Sequence, residues 1–110
     1  MRLTDIATKL DLQVIIAAPD EAIAECGYTS DLLSDVMAHA KDNSILITIQ
    51  SHKNSVAVAA MMDMPAIIIC NNRPVPDDMI NAARSERIGI YLTNNDQYTV
   101  SWKLKEAITE

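Results

Sequence analysis

The stretch AIIIC at residues 66–70 decides how this chain folds. Five consecutive apolar residues, three of them β-branched isoleucines, follow Pro65 and stop at the polar pair Asn71 and Asn72. A short apolar run bounded by turn residues is typical of a strand that is buried on both faces. Strands of this kind belong to parallel sheets covered by helices on each side. We therefore predict a buried central strand at these residues.

Three apolar strands of the chain are each followed by a helix of about three turns. The predicted strands are residues 44–50, 66–70 and 90–93. The predicted helices are residues 55–63, a segment that opens at Pro76, and residues 98–108. Repeated strand–helix units with short connections imply right-handed crossovers. The pattern predicts an α/β fold, with residues 1–110 forming a single three-layer α/β/α domain around a mostly parallel central sheet.

The N-terminal part of the chain shows weaker patterns. Apolar residues at helical spacing predict a short first helix with Thr4 as its N-cap, followed by a strand over residues 12–16. Residues 21–25 are interpreted as a weak strand or a loop. A helix is predicted to start at Ser30 or Asp31, with acidic residues in its first turn, where the helix dipole favours them.

Composition narrows the classes of partner and location. The 110 residues are 49% hydrophobic and carry a net charge of −6 with no run of Lys or Arg, so neither disorder nor a nucleic-acid partner is expected. Uncharged stretches are shorter than the roughly 20 apolar residues of a membrane span. No apolar signal segment follows Met1, so the expected location is the cytoplasm, with no membrane partner. Cys26 and Cys70 lack metal-site spacing and are predicted to be free thiols.

The motifs of several enzyme classes are absent. Only two glycines occur in the chain, which excludes a Gly-rich phosphate loop and with it a kinase of the P-loop class. His39 and His52 stand in no zinc-binding pattern, and no GxSxG elbow is present. A triad of Ser30, Asp35 and His52 has little support, because many Ser and Asp residues offer such sets by chance. No catalytic residue, metal site or cofactor is predicted.

Polar residues lie at the carboxyl ends of the predicted strands and directly after them, where the helices begin. They are Thr48, Gln50, Ser51, His52, Lys53, Asn54, Asn71, Asn72, Arg73, Thr93, Asn94 and Asn95. Parallel sheets bind ligands outside the carboxyl ends of their strands, so we predict that these residues gather at one edge and that all except Ser51, Lys53 and Asn95 contact a ligand. Neutral hydrogen-bond donors and acceptors, together with two cationic side chains, suit a small polar or phosphorylated ligand. The alternative is a local role, because Asn and Ser also cap helices and fill turns.

A second polar cluster opens the helix predicted after Gly27. Ser30 and Asp31 are added to the predicted ligand contacts, and one of them is expected to cap the helix. One turn further on, Asp35 provides a second carboxylate. A cation between the two carboxylates is one interpretation, and compensation of the helix dipole is the other. His39 follows Asp35 by one more turn and is predicted to be a surface residue paired with it.

The segments GYTSDLLSDVM at residues 27–37 and ITIQSHKNSVAVA at residues 47–59 are the most specific in the chain. With the strand at residues 66–69 and Pro76, they resemble the stand-alone members of the DRTGG domain family over essentially the whole chain. The five-residue signature that names the family is not present. The resemblance implies an α/β/α domain similar to the N-terminal domain of HPr kinase/phosphorylase and to the DRTGG domain of CBS-domain pyrophosphatases. It also implies a regulatory or assembly role.

These observations favour a non-catalytic regulatory module that senses a small polar or phosphorylated ligand at the carboxyl ends of the strands. Two alternatives stay open: a protein-interaction or scaffold subunit without a small ligand, and a small enzyme that uses His52 as acid or base. A concave surface formed by the polar residues at the carboxyl ends of the strands would favour the ligand-sensing module. A flat surface there would favour the scaffold subunit. We also expect a homodimer, because strand edges are open to pairing and two-fold dimers are the commonest oligomers.

Overall fold

The computed structural model describes residues 1–109, in which five strands form one sheet flanked by five helices. The strands are β1 (Gln13–Ile16), β2 (Cys26–Thr29), β3 (Ser44–Thr48), β4 (Ala66–Ile69) and β5 (Gly89–Leu92). The helices are α1 (Leu3–Lys9), α2 (Leu33–His39), α3 (Lys53–Met61), α4 (Asp77–Glu86) and α5 (Gln97–Thr109). No helix within the described residues is long and apolar enough to cross a lipid bilayer.

The sheet has the strand order β1-β5-β4-β3-β2. Strands β2 to β5 run parallel to one another, whereas β1 pairs antiparallel with β5 and has an irregular register between Val14 and Ile16. The predicted α/β fold with a mostly parallel sheet is confirmed, and the antiparallel edge strand makes the sheet mixed. The strand predicted from AIIIC is the central one.

Helices cover both faces of the sheet. Alternate residues of β4 enter two separate apolar cores, since successive side chains of a strand point to opposite faces. Ala66 and Ile68 join the core under α1 and α5, and Ile67 and Ile69 join the core under α2, α3 and α4. All four residues are fully buried. The continuous apolar run therefore reflects burial on both sides.

Strand β2 lies outside the segment where a weak strand was considered. Residues 21–25 form no strand, although Ile23 makes an isolated bridge with Arg2, whereas β2 begins at Cys26 and pairs with β3. Gly27 lies within β2. A Cβ atom there would stand 2.7 Å from Leu104 Cδ2 and 3.2 Å from Ile47 Cδ1. The glycine thus lets α5 approach the sheet closely, a tertiary requirement that local propensity does not show.

Helix α2 begins later than predicted. It starts at Leu33, and its N-cap is Leu32, which makes no side-chain cap bond. Neither Ser30 nor Asp31 caps the helix. Ser30 Oγ instead accepts a bond from the Leu32 backbone N–H at 3.2 Å, which forms a turn before the helix.

Other helix starts also differ from the predictions by one or two residues. The N-cap of α1 is Arg2 and not Thr4. Pro76 is the N-cap of α4 and precedes the first helical residue. Helix α3 begins at Lys53, two residues early, because the ring of His52 caps it. Helix boundaries depend on which side chain reaches a free backbone N–H, and several nearby residues compete for that role.

Candidate functional site

The carboxyl ends of β2 to β5 meet at one edge of the sheet, named here the carboxyl edge. The parallel registers pair Thr48 with Ile69, and Ile69 with Leu92, so the loops after β3, β4 and β5 start side by side. The loop after β2 joins them, because Thr29 pairs with Ile47. The prediction that the polar residues at the ends of the strands gather at one edge of the sheet is therefore confirmed. That they bind a ligand stays a prediction.

The loop after β4 is tied to the loop after β5. The backbone N–H groups of Asn71 and Asn72 donate to the carbonyls of Asn95 at 3.0 Å and Thr93 at 2.8 Å. Asn71 and Asn72 have φ values of 59° and 51°. Asparagine tolerates this left-handed region better than most residues. The backbone therefore explains part of their identity, while both side chains are exposed to solvent.

A polar cavity of about 270 Å³ opens beside β5 at this edge, and we name it the amide cleft. Its lining consists of Leu10, Asp11, Gln13, Asn72, Leu92, Thr93, Asn94, Asn95 and Lys103. Three of the predicted ligand contacts lie here, namely Asn72, Thr93 and Asn94. Side-chain amides and one ammonium group offer hydrogen-bond donors to a bound anion or polar group.

The lining of the amide cleft also includes three residues that the sequence pattern did not predict, namely Asp11, Gln13 and Lys103. Gln13 reaches this edge because β1 runs antiparallel to β5 and pairs it with Leu92. Lys103 reaches it because α5 starts directly after the carboxyl edge. No local signal marks the direction of β1. The predicted strand–helix order implies that α5 runs away from the carboxyl edge. Lys103 could therefore have been predicted as a residue near this edge.

Asp31 is held inside the carboxyl edge by three donors. Its Oδ1 atom accepts bonds from Thr48 Oγ1 at 2.9 Å, from the Ile49 backbone N–H at 3.0 Å and from Gln97 Nε2 at 2.9 Å. Thr48 is fully buried, and its Oγ1 also accepts from the Gln50 N–H. These bonds join the ends of β2 and β3 to the first residue of α5. Asp31 and Thr48, both predicted ligand contacts, thus stabilise the edge from within.

The remaining predicted contacts lie outside the amide cleft. His52 Nδ1 accepts the backbone N–H of Asn54 at 3.1 Å and so caps α3. Gln50 follows Thr48, and its carbonyl accepts the hydroxyl of Ser55 at 2.7 Å. Arg73 is exposed in the loop after β4. The structure places Gln50, His52, Asn54 and Arg73 at the same edge of the sheet. None of these four residues lines the amide cleft.

A separate cluster joins Tyr28, Asp35 and His39 on β2 and α2. The Tyr28 hydroxyl donates to Asp35 Oδ2 at 2.7 Å, and His39 Nδ1 lies 3.1 Å from Asp35 Oδ1, so the predicted pairing of His39 is confirmed. The bond from Tyr28 lowers the pKa of Asp35, with further lowering by Ser30 and His39, and the same bond raises the pKa of Tyr28. The carboxylate stands between the other groups, so this cluster does not have the nucleophile–histidine contact of a catalytic triad.

Cys70 lies buried beneath the carboxyl edge. Burial, together with the negative charges of Asp31 and Asp96, raises the pKa of its thiol to about 12. The reactive form of cysteine is the thiolate, so a buried thiol with a raised pKa is inert. Both Cys26 and Cys70 are free, as predicted. Among residues 1–109, no group of three or more His, Cys, Asp or Glu side chains comes together to hold a metal.

We expect one of the two thiols to react with a disulfide reagent at neutral pH in the folded protein. Cys26 is half-buried and accessible, whereas Cys70 is fully buried and protonated. Labelling with a chromogenic disulfide, followed by mass spectrometry, measures which thiol reacts. The Cys26→Ser variant should show almost no reaction until denaturant is added. Rapid labelling of Cys70 in the folded variant would contradict its burial.

These features define a small α/β domain with a DRTGG-like fold and a polar carboxyl edge. No family model and no curated protein matches the sequence. The structure is similar to that of the CBS and DRTGG domains of the regulatory region of Clostridium perfringens pyrophosphatase, complexed with its activator diadenosine tetraphosphate. The TM-score is 0.71 at 12% sequence identity, and the match covers 94% of this chain and 45% of the other. The chain therefore spans less than half the length of that regulatory region.

Proposed function

We propose that this chain is a non-catalytic regulatory module that senses a small polar or phosphorylated ligand in the cytoplasm. The amide cleft is the observation that carries the proposal. It is concave, about 270 Å³ in volume, and lies at the carboxyl ends of parallel strands. Open α/β sheets bind their ligands at such places. The side chains of Gln13, Asn72, Asn94 and Lys103 supply polar groups that do not depend on a catalytic residue.

The similar pyrophosphatase structure supports a regulatory role. That structure is a regulatory region in complex with a dinucleotide activator. The fold that the two proteins share therefore occurs, in that pyrophosphatase, within a region that a bound ligand regulates. We infer a regulatory role for this chain as well. Its ligand is determined by the amide cleft of this chain and not by the activator of the other protein.

The groups that would carry chemistry already have structural roles. Asp31 accepts three internal hydrogen bonds, and His52 caps α3 with its Nδ1 atom. Burial keeps the Cys70 thiol protonated. A general acid or base needs a side chain free to exchange a proton with substrate. These contacts support binding over catalysis, and the concave cleft supports a ligand over a scaffold without one.

A thermal-shift screen against nucleotides and phosphorylated metabolites tests the proposal. A ligand present at 100 times its Kd stabilises the folded state by about 2.7 kcal/mol, which raises the Tm of a domain of this size by on the order of 10 °C. We expect at least one compound to produce such a shift. The absence of a shift with every compound would overturn the proposal.

Asn94→Ala and Asn81→Ala form a matched pair for this screen. Both asparagines are exposed, so neither substitution removes core packing. Asn94 lines the cleft, whereas Asn81 lies on α4 and bonds to Arg84. We expect the first variant to lose most of the ligand-induced shift and the second to keep it. Equal shifts in both variants would place the ligand elsewhere.

Self-association is part of the proposal. The edge strand β2 pairs only with β3, and α3 exposes Met61 at 66% of its surface together with Ala57 one turn before it. A second copy could cover either surface. Sedimentation equilibrium at micromolar concentration should give twice the monomer mass of 12.1 kDa. A monomer mass that does not change on tenfold concentration would exclude the dimer.

A further inference from the structure

A second cavity lies next to the amide cleft, along the seam between α1 and α5. This second cavity has a volume of about 320 Å³ and is lined by Lys9, Leu10, Trp102, Lys103, Glu106 and Ala107. Leu10 and Lys103 line both cavities. These two adjacent cavities are together named here the seam groove, which extends from the carboxyl edge along α5. Each part lies near the lower end of the roughly 300–1,000 Å³ found for ligand pockets.

Trp102 presents an aromatic surface to this groove. It is the only tryptophan of the chain, and 48% of its surface is exposed. The neighbouring Lys103 places its Nζ atom 5.9 Å from the centroid of the Trp102 ring. An ammonium group next to an exposed indole brings a stacking surface and a positive charge together at one point.

The other polar groups of the groove complete a recognisable set. Asn72, Asn94 and Asn95 line the amide cleft together with Asp11, and Glu106 lines the second cavity. Carboxylates accept hydrogen bonds from sugar hydroxyls, and amides and ammonium groups donate to phosphate oxygens. An aromatic ring stacks on any flat base.

We propose that the seam groove binds a nucleoside monophosphate, with the base against Trp102 and the phosphate in the amide cleft beside Lys103. The inference rests on the proposed function and narrows its ligand class. The lysines Lys9 and Lys103 are offset by Asp11 and Glu106. A groove with balanced charge favours one phosphate group over a triphosphate chain, because each added negative charge meets the two carboxylates.

The single tryptophan makes the test direct. Adenosine 5′-monophosphate and uridine 5′-monophosphate are titrated into the protein, and Trp102 fluorescence is recorded with N-acetyltryptophanamide as the inner-filter control. At least one of the two nucleotides should quench the fluorescence saturably, since stacking places a base on the indole. Ribose 5-phosphate should cause no quenching. The triphosphate of the nucleotide that binds should have an affinity at least several-fold lower than that of the monophosphate.

Variants separate the roles of the two residues. Lys103→Gln should weaken nucleotide binding by about tenfold. Lys41 is an exposed lysine before β3 that lines neither cavity, so Lys41→Gln should leave binding unchanged. Trp102→Ala should abolish binding measured by calorimetry, and Trp102→Phe should retain most of it. Unchanged Tm values of the ligand-free variants would show that they fold.

Two results would overturn the inference. One is the absence of saturable quenching by either nucleotide, and the other is equal nucleotide affinity in wild type and Lys103→Gln. The proposed function would survive if a compound without a base still raised the Tm in a manner that Asn94→Ala removes. Failure of the whole thermal-shift screen would overturn both proposals.

Discussion

Ile68→Ala is expected to lower the free energy of unfolding by about 2–5 kcal/mol. Ile68 is fully buried in β4, the central strand, and its neighbours in register are Ile47 of β3 and Tyr91 of β5. Truncation removes buried methyl and methylene groups and leaves a cavity. The surrounding sheet is paired on both sides of β4, so it has little freedom to collapse into that cavity.

Urea denaturation of wild type and variant measures this difference. Ile23→Ala is the matched control, because Ile23 is 44% exposed and lies outside the strands of the sheet. The control should cost less than about 1 kcal/mol, since little apolar surface returns to water. A loss below about 1 kcal/mol for Ile68→Ala would contradict the rigid burial of the central strand.

Asp31→Ala is expected to lower the free energy of unfolding by about 2–3 kcal/mol. The substitution leaves Thr48 Oγ1, the Ile49 N–H and Gln97 Nε2 without their shared acceptor. A donor left unsatisfied in a buried place costs about 1–3 kcal/mol. The total stays below three times that range, because Asp31 is only partly buried and water can reach part of the cluster.

Asp31→Asn separates the acceptor from the charge. The amide keeps one carbonyl oxygen, so the loss should be about half that of the alanine variant. Asp42→Ala, at an exposed turn residue, should change stability by no more than about 0.5 kcal/mol. If Asp31→Ala were as stable as Asp42→Ala, the three hydrogen bonds would contribute nothing, and Asp31 would be free to contact a ligand.

Much of the C-terminal two thirds of the fold could be predicted from local patterns. Strands β3, β4 and β5 are short apolar runs, and each is buried as its sequence indicates. Strand β2 could not be predicted, because CGYT contains a glycine and alternates half-buried with exposed residues. Its place depends on pairing with β3 and is accompanied by packing of Leu104 over Gly27, contacts between residues far apart in the chain.

The candidate site was predictable in its general place and in three of its lining residues, but not in the others. Placing Asn72, Thr93 and Asn94 at the carboxyl edge needed only the rule for parallel sheets. Asp31 and Thr48, both predicted ligand contacts, bond to each other, and Gln97 and the Ile49 N–H donate to the same carboxylate oxygen. Such partners cannot be identified from a sequence pattern when 66 residues separate Asp31 from Gln97.

The sequence by itself determined the alternation of strands and helices from β3 onward, the burial of the central strand and the polar character of the carboxyl edge. Those properties depend on side chains within a few residues of one another, which propensity and periodicity record. Only the tertiary structure decided that β1 runs antiparallel beside β5 and that Gln13 and Lys103 meet Asn94 in one cleft. Strand direction and helix docking depend on packing between distant segments, so the composition of the cleft follows from the closed core and not from any local stretch of sequence.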